Sequence, residues 1–308
     1  MCVKSVGPAS PSTQPSLAVH SAAAADDLAC DISRKLAGEE DSHIGYVFRC
    51  AAGNHAAAAI AALGAKIDNM IGALDKIKVI SVCGHDTQSA ITAVPCPDKQ
   101  FAFISSGTWS LFGTELDKPI VDEKSIAMNV TNEGGYNEKV GFLKNIIGLW
   151  LIQESRRQFA RDGKQYSYAD LEKLALEAEP FKCFIDPDAP EFSPLGNIPK
   201  RVQEFCEKTG QYVPQTKGEI VRCIFDSLAM CYRSTAEKMD EITGKKAPFI
   251  NIVGGGTKEV PLCKLTANAC GRPVYTGPVE ATALGNIAVQ AIAQGEIKDT
   301  KEAREVIA

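Results

Sequence analysis

From Lys78 onward, short β-branched or aromatic runs alternate with glycine or polar turns and with longer stretches whose apolar residues recur every three to four positions. That alternation is the mark of an α/β chain. Residues 78–83 (KVISVC) and 100–106 (QFAFISS) read as strands joined through ITAVPCPDK, and a hairpin or neighbouring pair is expected of them. Phe142 to Arg161 carries apolar side chains at 142, 143, 146, 149, 150 and 152, which predicts a helix about five turns long. Asn145, Leu149 and Gln153 fall on one stripe of that helix. Residues 183–216, interrupted by Pro187, Pro190, Pro194, Pro199 and Pro214, are expected to form a loop-rich excursion. Gly218 to Ile242 predicts a long helix capped by Gly244. Residues 248–256 (PFINIVGGG) form a strand entering a glycine turn, Lys258 to Ala269 a helix stopped by Gly271, RPVYTG a short strand, and Glu280 to Gln294 a closing helix.

Residues 1–77 read differently. They are rich in Ser and Pro at 5–17 and in Ala at 21–25 and 55–62; the only periodic stretch, His55 to Leu74, predicts a helix through Ile60, Leu63, Ile67, Met70 and Ile71. The first 25 residues hold no apolar core of signal-peptide length, so a cytoplasmic location is expected. No apolar run of the ~18 residues that a membrane span requires occurs.

Composition narrows the function. With 308 residues, 45 % hydrophobic, the chain can bury one large or two modest cores. Its 33 Lys+Arg against 38 Asp+Glu leave a net charge of -5, so no basic field exists to hold nucleic acid or an anionic membrane, and a small-metabolite protein fits better. The 11 cysteines include no CxxC pair and no Cys/His cluster along the chain, so no metal site is expected and most thiols should serve as small buried hydrophobes.

Four places are candidates for chemistry. VISVCGHDT delivers His85, Asp86 and Thr87 beyond an apolar run, where a carboxylate can take a proton from a sugar hydroxyl; equally, Asp86 can cap the helix that follows. SSGTWS places Thr108 among small hydroxyl residues, either as backbone donors for phosphate or as an ordinary hairpin turn. Gly254, Gly255 and Gly256 let a nucleotide lie against the backbone, or simply make a tight turn without the GxGxxG spacing of a dinucleotide site. Asn145 and Gln153 can bond a ligand from one helix, or satisfy neighbouring backbone. Glu280 is expected to support the first turn of its own helix.

Taken in order, VCGHDTQSAITAVP, ISSGTWSLFG, TNEGGYNEKVGFLKNIIGLWLIQESRR, NIVGGGTKEVPLCKLTANACGRPV and GPVEATALGNIAVQA resemble the C-terminal half of the FGGY carbohydrate kinases, in their rhamnulokinase group. The resemblance runs from about Lys78 to the end and implies an actin-like ATPase (ribonuclease H-like) fold. It implies transfer of phosphate from MgATP to the 1-hydroxyl of L-rhamnulose, in rhamnose catabolism. Asp86 would then be the catalytic base, His85, Thr87 and Asn145 would hold the sugar, and Thr108, Gln153 and Gly255 the nucleotide. A family disulfide would correspond to Cys206 and Cys223, with a reduced pair equally compatible with the cytosol.

Such kinases begin with an Asp-x-Gly phosphate and magnesium motif in an N-terminal domain, and residues 1–77 hold no Asp-x-Gly. A truncated or frame-shifted start is the expectation, with little activity of the chain by itself and an exposed cleft face that favours self-association. The competing readings are a non-catalytic nucleotide-binding or dimerising module derived from such a kinase, and an unrelated thiol enzyme pairing a cysteine with His85.

Overall fold

Alternation along QFAFISS sets the two-sided architecture. The computed structural model describes residues 80–96 and 100–308. In strand β1 (Ala102–Ser106), Ala102 and Ile104 enter one apolar cluster while Phe103 enters another on the opposite face. β1 lies antiparallel to β2 (Trp109–Leu116) with Ser106 opposite Ser110, and parallel to β5 (Ile250–Val253). β3 (Val130–Gly134), β4 (Val140–Ile147) and β6 (Val274–Thr276) complete a six-stranded sheet in the order β3-β4-β2-β1-β5-β6.

The larger cluster is built from α3 (Trp150–Arg161), α4 (Tyr168–Glu177), α5 (Ile198–Lys208), α6 (Lys217–Thr243) and α7 (Val260–Cys270), around Phe112, Leu151, Ile224 and Leu228. On the other face, α1 (Asp86–Thr92) and α8 (Ala281–Gln294) cover Phe103, Leu143 and Val253. A short helix α2 (Glu123–Met128) borders β3, and α9 (Thr300–Ile307) closes the chain.

The long helix ends where its sequence dictates. Thr216 accepts from the Glu219 N–H at 3.1 Å, the Glu219 carboxylate accepts from the Thr216 N–H at 2.9 Å, and Gly244 terminates the helix at φ 66°. Midway along it, the buried Tyr232 hydroxyl meets the Ser110 hydroxyl at 2.6 Å and so ties α6 to β2.

Three expectations are corrected. Phe142 to Arg161 is not one helix: residues 140–147 are strand β4, paired along its length with β2, and the helix begins only at Trp150. A short apolar run satisfies both periods, and the ladder with β2 decides between them. The turn between the two elements is at Gly148, where a Cβ would stand 2.4 Å from Ser110 Oγ, so the backbone crosses directly over β2. Residues 80–83 carry no strand, and the neighbours of β1 are β2 and β5 rather than the KVISVC run, whose residues 78 and 79 lie outside the described segment. The proline-rich excursion contains an 11-residue helix, α5, because Pro199 occupies its first turn, where a missing N–H costs nothing. The expected helix at His55–Leu74, like the rest of residues 1–77, lies outside the described residues.

Candidate active site

A seven-residue helix such as α1 does not hold itself together, so its position is set by neighbours. Arg304 on α9 donates to the Ile91 carbonyl at 3.1 Å and the Thr92 carbonyl at 3.2 Å, closing the C-terminal end of α1, and pairs with Glu115 at 2.9 Å. At the other end, the Thr282 hydroxyl of α8 donates to the Asp86 carbonyl at 3.3 Å. Between them the helices nearly touch: a Cβ on Gly285 would lie 1.8 Å from the Ser89 carbonyl oxygen.

This frame presents Asp86 at the N-terminal end of α1 with its side chain 73 % exposed. Asp86 Oδ1 accepts the Thr87 N–H at 2.8 Å and lies 3.1 Å from His85 Nε2. Both contacts fall on one oxygen of this largely exposed carboxyl. His85 Nδ1 meets Glu133 Oε2 at 2.5 Å across to β3, and Glu133 is itself fixed by Gln88 Nε2 at 3.0 Å and by the Thr131 hydroxyl at 3.3 Å. The imidazole is thus clamped between two carboxyl groups. With hydrogen on Nδ1 it donates to Glu133, and the Nε2–Oδ1 contact is a hydrogen bond only when a proton lies between those two atoms.

The residues assigned to the nucleotide gather elsewhere on the sheet. Thr108 turns the chain between β1 and β2, and its exposed hydroxyl donates to Gln153 Oε1 at 3.3 Å. Its carbonyl accepts from the Gly148 and Trp150 N–H groups at 3.2 and 3.1 Å, so the hairpin turn seats the start of α3. The triple glycine follows β5, the parallel neighbour of β1. A Cβ on Gly256 would be 1.9 Å from Ser106 Oγ, and Gly254, at φ 84°, abuts the Ser106 carbonyl. Gly255 has open space around it. Thr108, Gln153 and Gly255 therefore cluster at the carboxyl ends of two parallel strands, the usual place for ligands in α/β sheets.

Asn145 does not share a helix with Gln153. It sits exposed on β4 opposite Leu111, separated from Gln153 by the Gly148 turn. Thr87 is buried in the first turn of α1, and Glu280 occupies the N-cap of α8 without a side-chain bond, in keeping with a supporting role for its charge. Sequence reading missed Glu133, Gln88 and Thr282. Only TNEGG hinted at Glu133, because nothing local shows that β3 reaches His85.

Beside the triple glycine, Glu259 is buried at the N-cap of α7 with Oε2 unpartnered. Burial, followed by a hydrogen bond and repulsion from Glu172, pushes its carboxyl up to about 7. Among the described residues, the group of His, Cys, Asp or Glu side chains close enough together to hold a metal is a set of thiols, Cys183, Cys206 and Cys223. That set is too soft for magnesium, and the described residues supply no carboxylate set for it.

The sequence profile of the C-terminal domain of the FGGY family of carbohydrate kinases matches residues 102–294, more than half of the chain. The chain belongs to the FGGY family of carbohydrate kinases. It is 43 % identical over 237 residues to a rhamnulokinase of Bacteroides thetaiotaomicron, covering 77 % of this chain and 48 % of that protein. It is equally 43 % identical to a rhamnulokinase of Bacillus subtilis over 234 residues, covering 76 % of this chain and 48 % of the relative. The chain spans about half the length of the curated relatives it matches. In three dimensions it is similar to gluconate kinase from Lactobacillus acidophilus, with TM-score 0.56, 17 % identity and coverage of 77 % and 47 % of the two chains. It is also similar to Plasmodium falciparum glycerol kinase with ADP, with TM-score 0.55, 13 % identity and coverage of 76 % and 46 %. The actin-like ATPase fold expected from the motifs is the fold of this FGGY domain. No helix among the described residues is long and apolar enough to cross a membrane.

Proposed function

We propose that this chain is the base-bearing, nucleotide-binding half of a sugar kinase that transfers the terminal phosphoryl group of ATP to the 1-hydroxyl of L-rhamnulose. The observation that carries the reading is the largely exposed Asp86 carboxyl, whose Oδ1 accepts the Thr87 N–H with His85 Nε2 beside it. Phosphoryl transfer asks of a protein mainly positioning, charge stabilisation and one group to accept the hydroxyl proton. Asp86 is that acceptor. His85 borders it, and Glu133 sets the orientation of His85.

Thr87 and Asn145 contribute to the sugar side of the site. The Thr108 hydroxyl and the open backbone at Gly255 receive the phosphates and the adenosine end of the nucleotide, with Gln153 bridging toward Thr108. Kinases of this family use a divalent ion with ATP, where it neutralises phosphate charge; the roles that fall to this chain are binding, orientation and proton transfer. Support for L-rhamnulose as the sugar comes from the two rhamnulokinase relatives.

Calorimetry with ADP and a coupled assay for L-rhamnulose 1-phosphate test the proposal. The expected result is ADP binding with little turnover by the chain alone. Turnover should fall about 100-fold or more in Asp86→Asn, with ADP affinity unchanged. Absence of ADP binding, or turnover undiminished in Asp86→Asn, overturns it.

A further inference from the structure

Three cysteines far apart in sequence meet in the core. Cys183 lies in the loop after α4, Cys206 on α5 and Cys223 on α6. All three are buried free thiols, and their Sγ atoms lie within 4.8 Å of one another. The resemblance accounted for at most two of them, and the third, Cys183, has no part in a Cys206–Cys223 disulfide.

The geometry points to a thiolate site for one thiophilic divalent ion of the zinc class, which clips the 183–216 excursion to the long helix α6. Zinc–sulfur bonds of ~2.3 Å in a tetrahedron place sulfurs ~3.8 Å apart, so the three thiols need close by no more than about 1 Å. A cavity of about 10 Å³ borders Cys183 and Cys223, room for about one water as fourth ligand. The charged groups lining the same cavity pair among themselves, Arg222 with Asp226 at 2.9 Å and Lys182 with Glu179 at 3.2 Å. Its three carboxylates are thus engaged already, Asp226 also by the Phe181 N–H at 2.7 Å, Glu219 by the Tyr212 hydroxyl at 2.8 Å, and Glu179 by Lys182.

Binding balances as one M²⁺ plus three thiols giving one trithiolate complex and three protons. No oxidant or reductant takes part. A Cys206–Cys223 disulfide would consume two of the ligands, so the two states exclude each other.

The test uses the full chain, reduced and metal-free, titrated with Co(II). One equivalent is expected to bind with thiolate-to-cobalt absorption in the near ultraviolet, proton release and a raised melting temperature. Cys183→Ser should weaken binding by more than the ~10–100-fold that loss of an outer contact costs, while Cys270→Ser leaves it unchanged. A ¹¹³Cd spectrum of the unsubstituted protein reads the ligand set without any variant, and a shift typical of three sulfurs and one oxygen is expected. No uptake by the reduced protein, uptake indifferent to Cys183→Ser, or a cadmium shift without three sulfurs overturns the proposal. So does closure of the Cys206–Cys223 disulfide in air with one equivalent of zinc present.

Discussion

His85 Nδ1 stands 2.5 Å from Glu133 Oε2, a contact spanning 48 residues that joins the start of α1 to strand β3. It makes Glu133 the residue that decides which face of the imidazole looks toward Asp86. In Glu133→Ala the remaining carboxyl neighbour of the ring is Asp86 at Nε2, so the ring hydrogen should move from Nδ1 to Nε2. Long-range ¹⁵N imidazole spectra check this directly, and an unchanged Nδ1–H tautomer would refute it. Where phosphoryl transfer is measured, kcat should fall roughly 10–100-fold with the KM for ATP unchanged, and Glu133→Gln, which keeps one acceptor oxygen, should recover part of the loss.

The glycines of the triple turn differ in what they tolerate. Gly256→Ala forces a Cβ into Ser106 Oγ, and should lower stability by about 1–3 kcal/mol as β1 and β5 part at their carboxyl ends. Gly255→Ala meets nothing within 4 Å and should leave the urea midpoint nearly unchanged, while its added methyl reduces nucleotide affinity. Equal midpoints for the two variants would show that Ser106 moves aside freely.

Glu259 should give the fold a pH dependence on the acid side of neutrality. Its carboxyl is raised from 4.5 to about 7, chiefly by burial and then by Glu172, so the folded state holds a proton that the unfolded chain releases first. Stability therefore declines as pH rises from about 4.5 to about 7 and levels off above, where both states are ionised. Chemical unfolding at several pH values should show this decline, with Glu259→Gln flattening it. A slope of the opposite sign in that window would contradict the assignment.

What the linear order of residues determined was local. Gly244 and Gly271 stop their helices at positive φ, the alternation in QFAFISS makes a two-faced strand, and the small residues of SSGTW and GGG lie at strand ends. Turn and cap chemistry acts within a few residues, so it is written in the sequence. Phe142–Ile147 was ambiguous because its apolar positions satisfy a helix as well as a strand, and only the ladder with β2 resolves it. The clamp of His85 by Glu133, the seating of α1 by Arg304 and Thr282, and the meeting of Cys183, Cys206 and Cys223 were decided by tertiary structure. Each joins segments that are neighbours only after the sheet has ordered its strands and the helices have covered its two faces, and no spacing along the chain records that proximity.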